Sequence, residues 1–165
     1  MFYFYASIKM KIVENLFDIT QKNRKILSRI LANTPKAQLL EIPKGYRNNI
    51  WWNIAHVVVT QQLLVYKMSR LEMRVSDVLV DKFRKGTTPD GTATDEEIEE
   101  VLELLTTTTE WVQEDYDKGI FQEFDEYTTS PGIILRKTDD AIAFNVFHEG
   151  LHLGSILALQ KMVRS

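Results

Sequence analysis

Residues 47 to 68 constrain the fold more than any other stretch. They contain "WWNIAHVVVT", which on a helix is apolar around much of its circumference. Such a helix is deeply buried, so other elements must pack around it. Three further segments carry helical periodicity. The first runs from about Lys9 to Ala32, with apolar positions Ile12, Leu16, Ile19, Ile26 and Ile30 stepping mostly by three or four. "NTP" ends it, and "IPKGYRN" reads as a loop. The third predicted helix starts at Thr94, with Glu97 three residues on, which is a capping box. Its first turn is acidic, as the helix dipole favours. Its buried stripe is Ile98, Val101, Leu102, Leu105 and Trp111, and it stops near Gly119. The fourth begins at Thr138 or Asp139 and runs to about Val163, with Ala141, Phe144, Leu151 and Leu159 as core candidates.

Two connections are long. Residues 69–93 hold a short helix candidate over "SDVLVDKFRK". In residues 119–137, "FQEFDEY" and "GIILR" can pair as short strands around "TTSPG". The expected fold is all-α, a four-helix bundle, and the long crossover lets helices two and three run parallel. A chain of 165 residues is one domain by length, residues 1–165.

With net charge -3, the chain offers no electrostatic attraction to nucleic acid or an anionic membrane. It has no cysteine, which excludes disulfides, thiolate ligands and a cysteine nucleophile, and a reducing cytoplasm fits. The N-terminal "MFYFYASIK" lacks the basic start of a signal peptide, and Met10 is an alternative start. No apolar run of about 18 residues predicts a membrane span.

The chemistry concentrates in three histidines. His148 and His152 lie four apart in "FNVFHEGLHLGSILALQ", so both point from one helix face, with Cβ atoms roughly 5–6 Å apart. His56 falls inside the most apolar helix. Each belongs to a polar stripe: Asn49, Asn53, His56 and Thr60 on the second helix, and Asn145, His148, His152 and Ser155 on the fourth. A polar stripe in an apolar helix either faces solvent or lines an internal site. Buried polar groups left unpaired cost about 1–3 kcal/mol each, and two facing stripes with a metal between them would remove that cost. Neutral imidazoles suit zinc, nickel, copper or iron. Three protein ligands also leave a position open, as catalytic sites do.

The letters H-E-x-x-H also occur in zinc proteases. Those enzymes need a third ligand downstream. Here Ser155 and Ala158 stand where the glycine and the third histidine of the extended motif would be, and no Asp, Glu or His follows His152. The third ligand must come from upstream, and His56 is the donor on offer. Glu149 has three readings: a general base, a hydrogen-bond partner of a ligand, or an exposed helix glutamate. Gly150 and Gly154 suggest close helix packing, and Trp51, Trp52 and Phe144 read as core.

Taken together, "NNIWWNIAHVV" (48–58), "KGTTPDGTATDEEI" (85–98) and "TSPGIILRKTDDAIAFNVFHEGLHLGSI" (129–156) make the chain resemble the DinB-like superfamily of metal-dependent enzymes. That resemblance implies a four-helix bundle in up-down-down-up order. It also implies a divalent metal, often nickel or zinc, on His56, His148 and His152, and often a homodimer. Characterised relatives include S-transferases and isomerases that use a low-molecular-weight thiol; others are damage-inducible. Three functions are therefore expected to compete. One is thiol-dependent S-transfer on a small-molecule substrate. Another is metal-assisted hydrolysis with Glu149 as base. The last is a non-enzymatic metal-binding or interaction bundle.

Overall fold

The computed structural model describes residues 2–164, with side chains from residue 11 to residue 164. The N-terminal stretch read for a signal sequence, and Met10 as a second start, fall on side chains outside that range. Among the described residues the chain is mostly helical, with six α-helices and one two-stranded hairpin. Helix α1 spans Phe2–Asn33, α2 Lys36–Leu40, and α3 Ile50–Gln62, which continues into a π-helical turn, Leu63–Lys67. Then follow α4 (Asp77–Phe83), α5 (Asp95–Asp117), β1 (Tyr127–Thr128), β2 (Ile134–Leu135) and α6 (Thr138–Val163). The short helix α2 was not anticipated. Helix α1 begins at Phe2 where about Lys9 was expected, and the π turn was not anticipated; the remaining helices and the hairpin fall close to where periodicity and turn chemistry put them.

Helix starts follow from side chains that satisfy otherwise orphaned N–H groups. The Thr94 hydroxyl accepts from the Glu97 N–H at 3.1 Å, and the Glu97 carboxylate accepts from the Thr94 N–H at 2.8 Å. Asn49 Oδ1 accepts from the Trp52 N–H at 2.8 Å, and Ser76 Oγ accepts from the Leu79 N–H at 3.2 Å. At the end of α5, Gly119 takes a left-handed φ of 68° that terminates the helix.

Every residue of α3 except Thr60 is buried. Both α1 and α3 pack against α5 and α6, while α2 and α4 cover α3 from outside. One core cluster surrounds α3 with Leu27, Trp51, Ile54, Leu105 and Leu159 among its members. A second joins Phe17, Val65, Tyr66, Val112 and Ile142.

Helix α1 corrects an expectation. Ile12, Ile19 and Ile26 are exposed, at 55%, 48% and 40%. The buried stripe is the neighbouring one, Val13, Phe17, Thr20, Arg24, Leu27 and Leu31. Both stripes step by three and four, so period alone does not choose between them. The buried one carries a charge, and α6 supplies the partner for it. Leu151, expected in the core, is also exposed. Gly150 and Gly154 pack against nothing: a Cβ at either would meet no atom within 4 Å.

Among the described residues, α6 is long and apolar enough to cross a membrane by length and composition, with a mean hydropathy of 1.3 over its best window. Several of its inward polar residues, however, take part in polar contacts inside the protein. Asn145 and Glu149 are buried in a polar cluster with α1, and Gln160 donates to Thr34.

Candidate metal centre

Helix α3 supplies His56, buried among apolar neighbours, and α6 supplies His148 and His152 from successive turns. Packing of α6 on α3 brings the three rings together. Their centroids lie 5.2 Å (His56–His148), 4.7 Å (His56–His152) and 4.5 Å (His148–His152) apart. The ring planes are inclined to one another by 54–55°, so the rings converge without stacking. One nitrogen from each ring lies within 4.8 Å of the others, a group that can hold a metal ion.

Hydrogen bonds fix two of the tautomers. His56 Nδ1 sits 2.6 Å from the Phe83 carbonyl oxygen, which can only accept, so Nδ1 carries the proton. His152 Nδ1 lies 2.8 Å from Asn53 Oδ1. Asn53 uses its NH2 group on the Asn49 carbonyl at 2.7 Å, which turns its oxygen toward the imidazole. Both rings therefore keep Nε2 as a lone-pair donor, the arrangement in which an outer partner orients a metal ligand. Thr60 Oγ1 stands 3.2 Å from the His56 Nε2. The Nδ1 of His148 is buried with no hydrogen-bond partner.

Burial holds all three rings neutral. It is the largest cause lowering His56, where the Phe83 carbonyl pulls weakly the other way. His148 is lowered to about 3 by burial, then by the neighbouring His152, His56 and Arg24. His152 is lowered to about 4 by burial and then by His56. Three neutral imidazoles with converging nitrogens are the form a metal requires.

The family model of the DinB superfamily matches residues 19–156. The chain belongs to the DinB superfamily. No curated protein matches it. The matched range includes all three histidines and the walls of the space beside them.

That space is a cavity of about 430 Å³. His56, His148 and His152 line it together with Thr60 and the π turn. Phe144, Phe147 and Leu151 of α6 form the facing wall. The tip of the β1–β2 hairpin, from Thr129 to Pro131, and Lys85 from the α4–α5 connection complete it. None of these loop residues was singled out from sequence as part of a site, although their segments contributed to the family resemblance. The "TTSPG" turn was legible as a turn, but not as a wall.

The remaining polar-stripe candidates divide. Asn53 and Thr60 touch the histidines. Asn49 caps α3 and donates to the Leu40 carbonyl, a structural task. Ser155 is exposed and donates to the Leu151 carbonyl of its own helix. Asn145 donates to Glu149 at 2.8 Å. Trp52, read as core, is buried but also stacks on His56 at 4.5 Å, with ring planes 13° apart.

Glu149 is not an exposed helix residue. It is 1% exposed. Its carboxylate accepts from Arg24 Nε at 2.9 Å, Asn23 Nδ2 at 2.8 Å and Asn145 Nδ2 at 2.8 Å, and it pairs with Arg24 Nη2 at 2.8 Å. Arg24 is as buried as its partner. Sequence reasoning did not single out Arg24 or Asn23. The available signal was an arginine in step with Phe17 and Leu27 on a stripe that otherwise had to be buried.

Proposed function

We propose that this protein is a metal-dependent enzyme in which His56, His148 and His152 hold a divalent ion, nickel or zinc. The observation that carries this reading is the group of three neutral imidazoles whose nitrogens converge at the base of an apolar cavity. The donor set fits: all nitrogen, with two of three rings oriented from behind by Phe83 and Asn53. When bound, such an ion would act as a Lewis acid toward a group entering from the cavity. The chain's own part is to keep the rings neutral, to fix which nitrogen faces inward, and to exclude water with Phe144, Phe147 and Leu151.

The favoured reaction is transfer of an electrophilic group to the sulfur of an exogenous low-molecular-weight thiol. A cavity of this size accommodates a small-molecule substrate, and a chain without cysteine has to borrow any thiol it uses. Hydrolysis with Glu149 as base has less support, since that carboxylate is occupied by Arg24, Asn23 and Asn145. A non-enzymatic metal-binding role would leave the cavity without a purpose. An up-down-down-up bundle of one domain, working as a cytoplasmic homodimer, belongs to the same reading. Supporting the bundle is the packing of α1 and α3 against both α5 and α6.

The test is metal content by elemental mass spectrometry on untagged protein, beside His56→Ala and His148→Ala. About one nickel or zinc per chain, lost in both variants, is expected. Native protein that takes up neither metal after incubation would end the metal reading. Metal-loaded protein that consumes no thiol with a model electrophile would end the transferase reading alone.

A further inference from the structure

The chain has more acidic than basic residues, 23 against 20. Yet no acidic side chain lines the cavity beside the histidines, while two lysines do. Lys67 comes from the π turn that continues α3, and Lys85 from the connection after α4. Both are exposed, and neither makes an ion pair among the described residues. Lys82, three residues before Lys85, shows the contrast: it is held by Glu97 at 2.7 Å. Phe144, Phe147, Leu63 and Leu64 make the walls apolar. The π turn matters here. Its wider hydrogen bonding, seen in the Met68 N–H to Leu63 carbonyl bond of 3.3 Å, sets where Lys67 leaves the helix.

We propose that the cavity binds an amphipathic organic anion, with its apolar body against Phe144, Phe147 and the π turn and its acidic group on Lys67 and Lys85. This rests on the reading of the cavity as the substrate site, and it names the substrate's chemistry: an aromatic or branched organic acid of drug-like size. The apolar walls supply affinity by removing hydrocarbon from water. Two unpaired cations in a space without acids supply the preference for negative charge. An organic cation of the same shape would meet only like charge.

The probes are 8-anilinonaphthalene-1-sulfonate and its uncharged analogue N-phenyl-1-naphthylamine, titrated by fluorescence at low salt. Each titration uses the full chain in two forms, stripped with a chelator and loaded with zinc. Since both lysines are exposed, Lys67→Gln/Lys85→Gln is expected to fold, which circular dichroism checks. The native chain, in both forms, is expected to bind the sulfonate about tenfold more tightly than the neutral probe, as two partly exposed charge contacts allow. The double variant should bring the two probes within about twofold while leaving the neutral probe's affinity unchanged. Added salt should erode the native preference. A preference in stripped protein that the double variant loses supports the proposal even if no metal ever binds. Equal affinities in the native chain overturn it, as does a preference that survives the double substitution. A preference seen only with zinc and kept by the variant also overturns it, because the metal would then be the anion's partner. In any of those cases metal uptake, measured separately, leaves the metal reading standing.

Discussion

His148 and Glu149 are consecutive residues of α6, yet they serve two different interiors. Glu149 turns toward α1, where Arg24 and Asn23 engage it, and Asn145 donates to it from the preceding turn of α6. His148 turns toward α3, where its neighbours are two more imidazoles and its Nδ1 finds no hydrogen-bond partner. One cluster pairs opposite charges and engages both carboxylate oxygens of Glu149, while Arg24 Nη1 and Asn145 Oδ1 keep no hydrogen-bond partner. The other gathers three like groups, each able to give a lone pair to something the chain does not contain. The buried ion pair that joins α1 to α6 marks the first as structural. The second brings one nitrogen from each of three rings within 4.8 Å of the others, which makes it the candidate metal site.

The strongest way to break this contrast is Glu149→Gln. It keeps the shape but leaves the Arg24 charge buried without a counter-ion. Loss of one partner from a buried pair costs about 3–5 kcal/mol. A chemical denaturation midpoint should fall accordingly, and added zinc should not restore it to the native value. A change below about 1 kcal/mol would mean that Arg24 reaches water and that the cluster is not structural.

A smaller effect separates the clusters by pH. Folded His148 and His152, lowered to about 3 and about 4, stay neutral where the unfolded chain's histidines, near 6.5, take up protons. The unfolded state then binds more protons, so stability rises with pH across that window. In chelator-treated protein the histidine contribution is complete above about pH 6.5 and is lost as pH falls toward about 4 and then about 3. Each histidine adds at most ~1.4 kcal/mol per pH unit to this slope. Thermal melts between pH 7.5 and 4.5 should therefore show a shallower fall for His148→Gln than for the native chain. Parallel curves would show that His148 titrates normally and is not held in a dry site.

Least affected should be the exposed pair of Lys22 and Asp18, which sit one turn apart on α1 at 2.6 Å. Asp18→Asn is expected to shift stability by less than ~0.5 kcal/mol, as exposed pairs do. Set beside Glu149→Gln, it measures how much burial, and not charge alone, gives the Arg24 pair its weight.

Much of this was legible in the sequence. Capping at Thr94, the largely apolar circumference of α3 and the four-residue spacing of His148 and His152 each depend on local rules, and each appears as expected. What escaped was whatever two separate segments decide jointly. Helix α1 has two stripes of equal period, and only the position of Glu149 on α6 selects the one that holds Arg24. Glu149 itself looked exposed because its partner lies 125 residues away. The cavity walls were hidden for the same reason: Lys85 and the hairpin tip gain meaning only once the chain folds back over α6.

The π turn carries one more consequence. Before it, α3 runs with ordinary helical phase, and that phase aims His56 at α6. The wider turn delays the rotation of the residues within it, like a thread cut with one coarser pitch. Tyr66, whose hydroxyl donates to Asp115 at 2.6 Å, and Lys67, which borders the cavity, depend on that delay. A single-residue deletion there would alter only the last turn of the helix, Leu63–Lys67, and leave His56 in register with α6. The cavity lining that the turn contributes can thus change by insertion or deletion while the histidine end of the helix keeps its alignment.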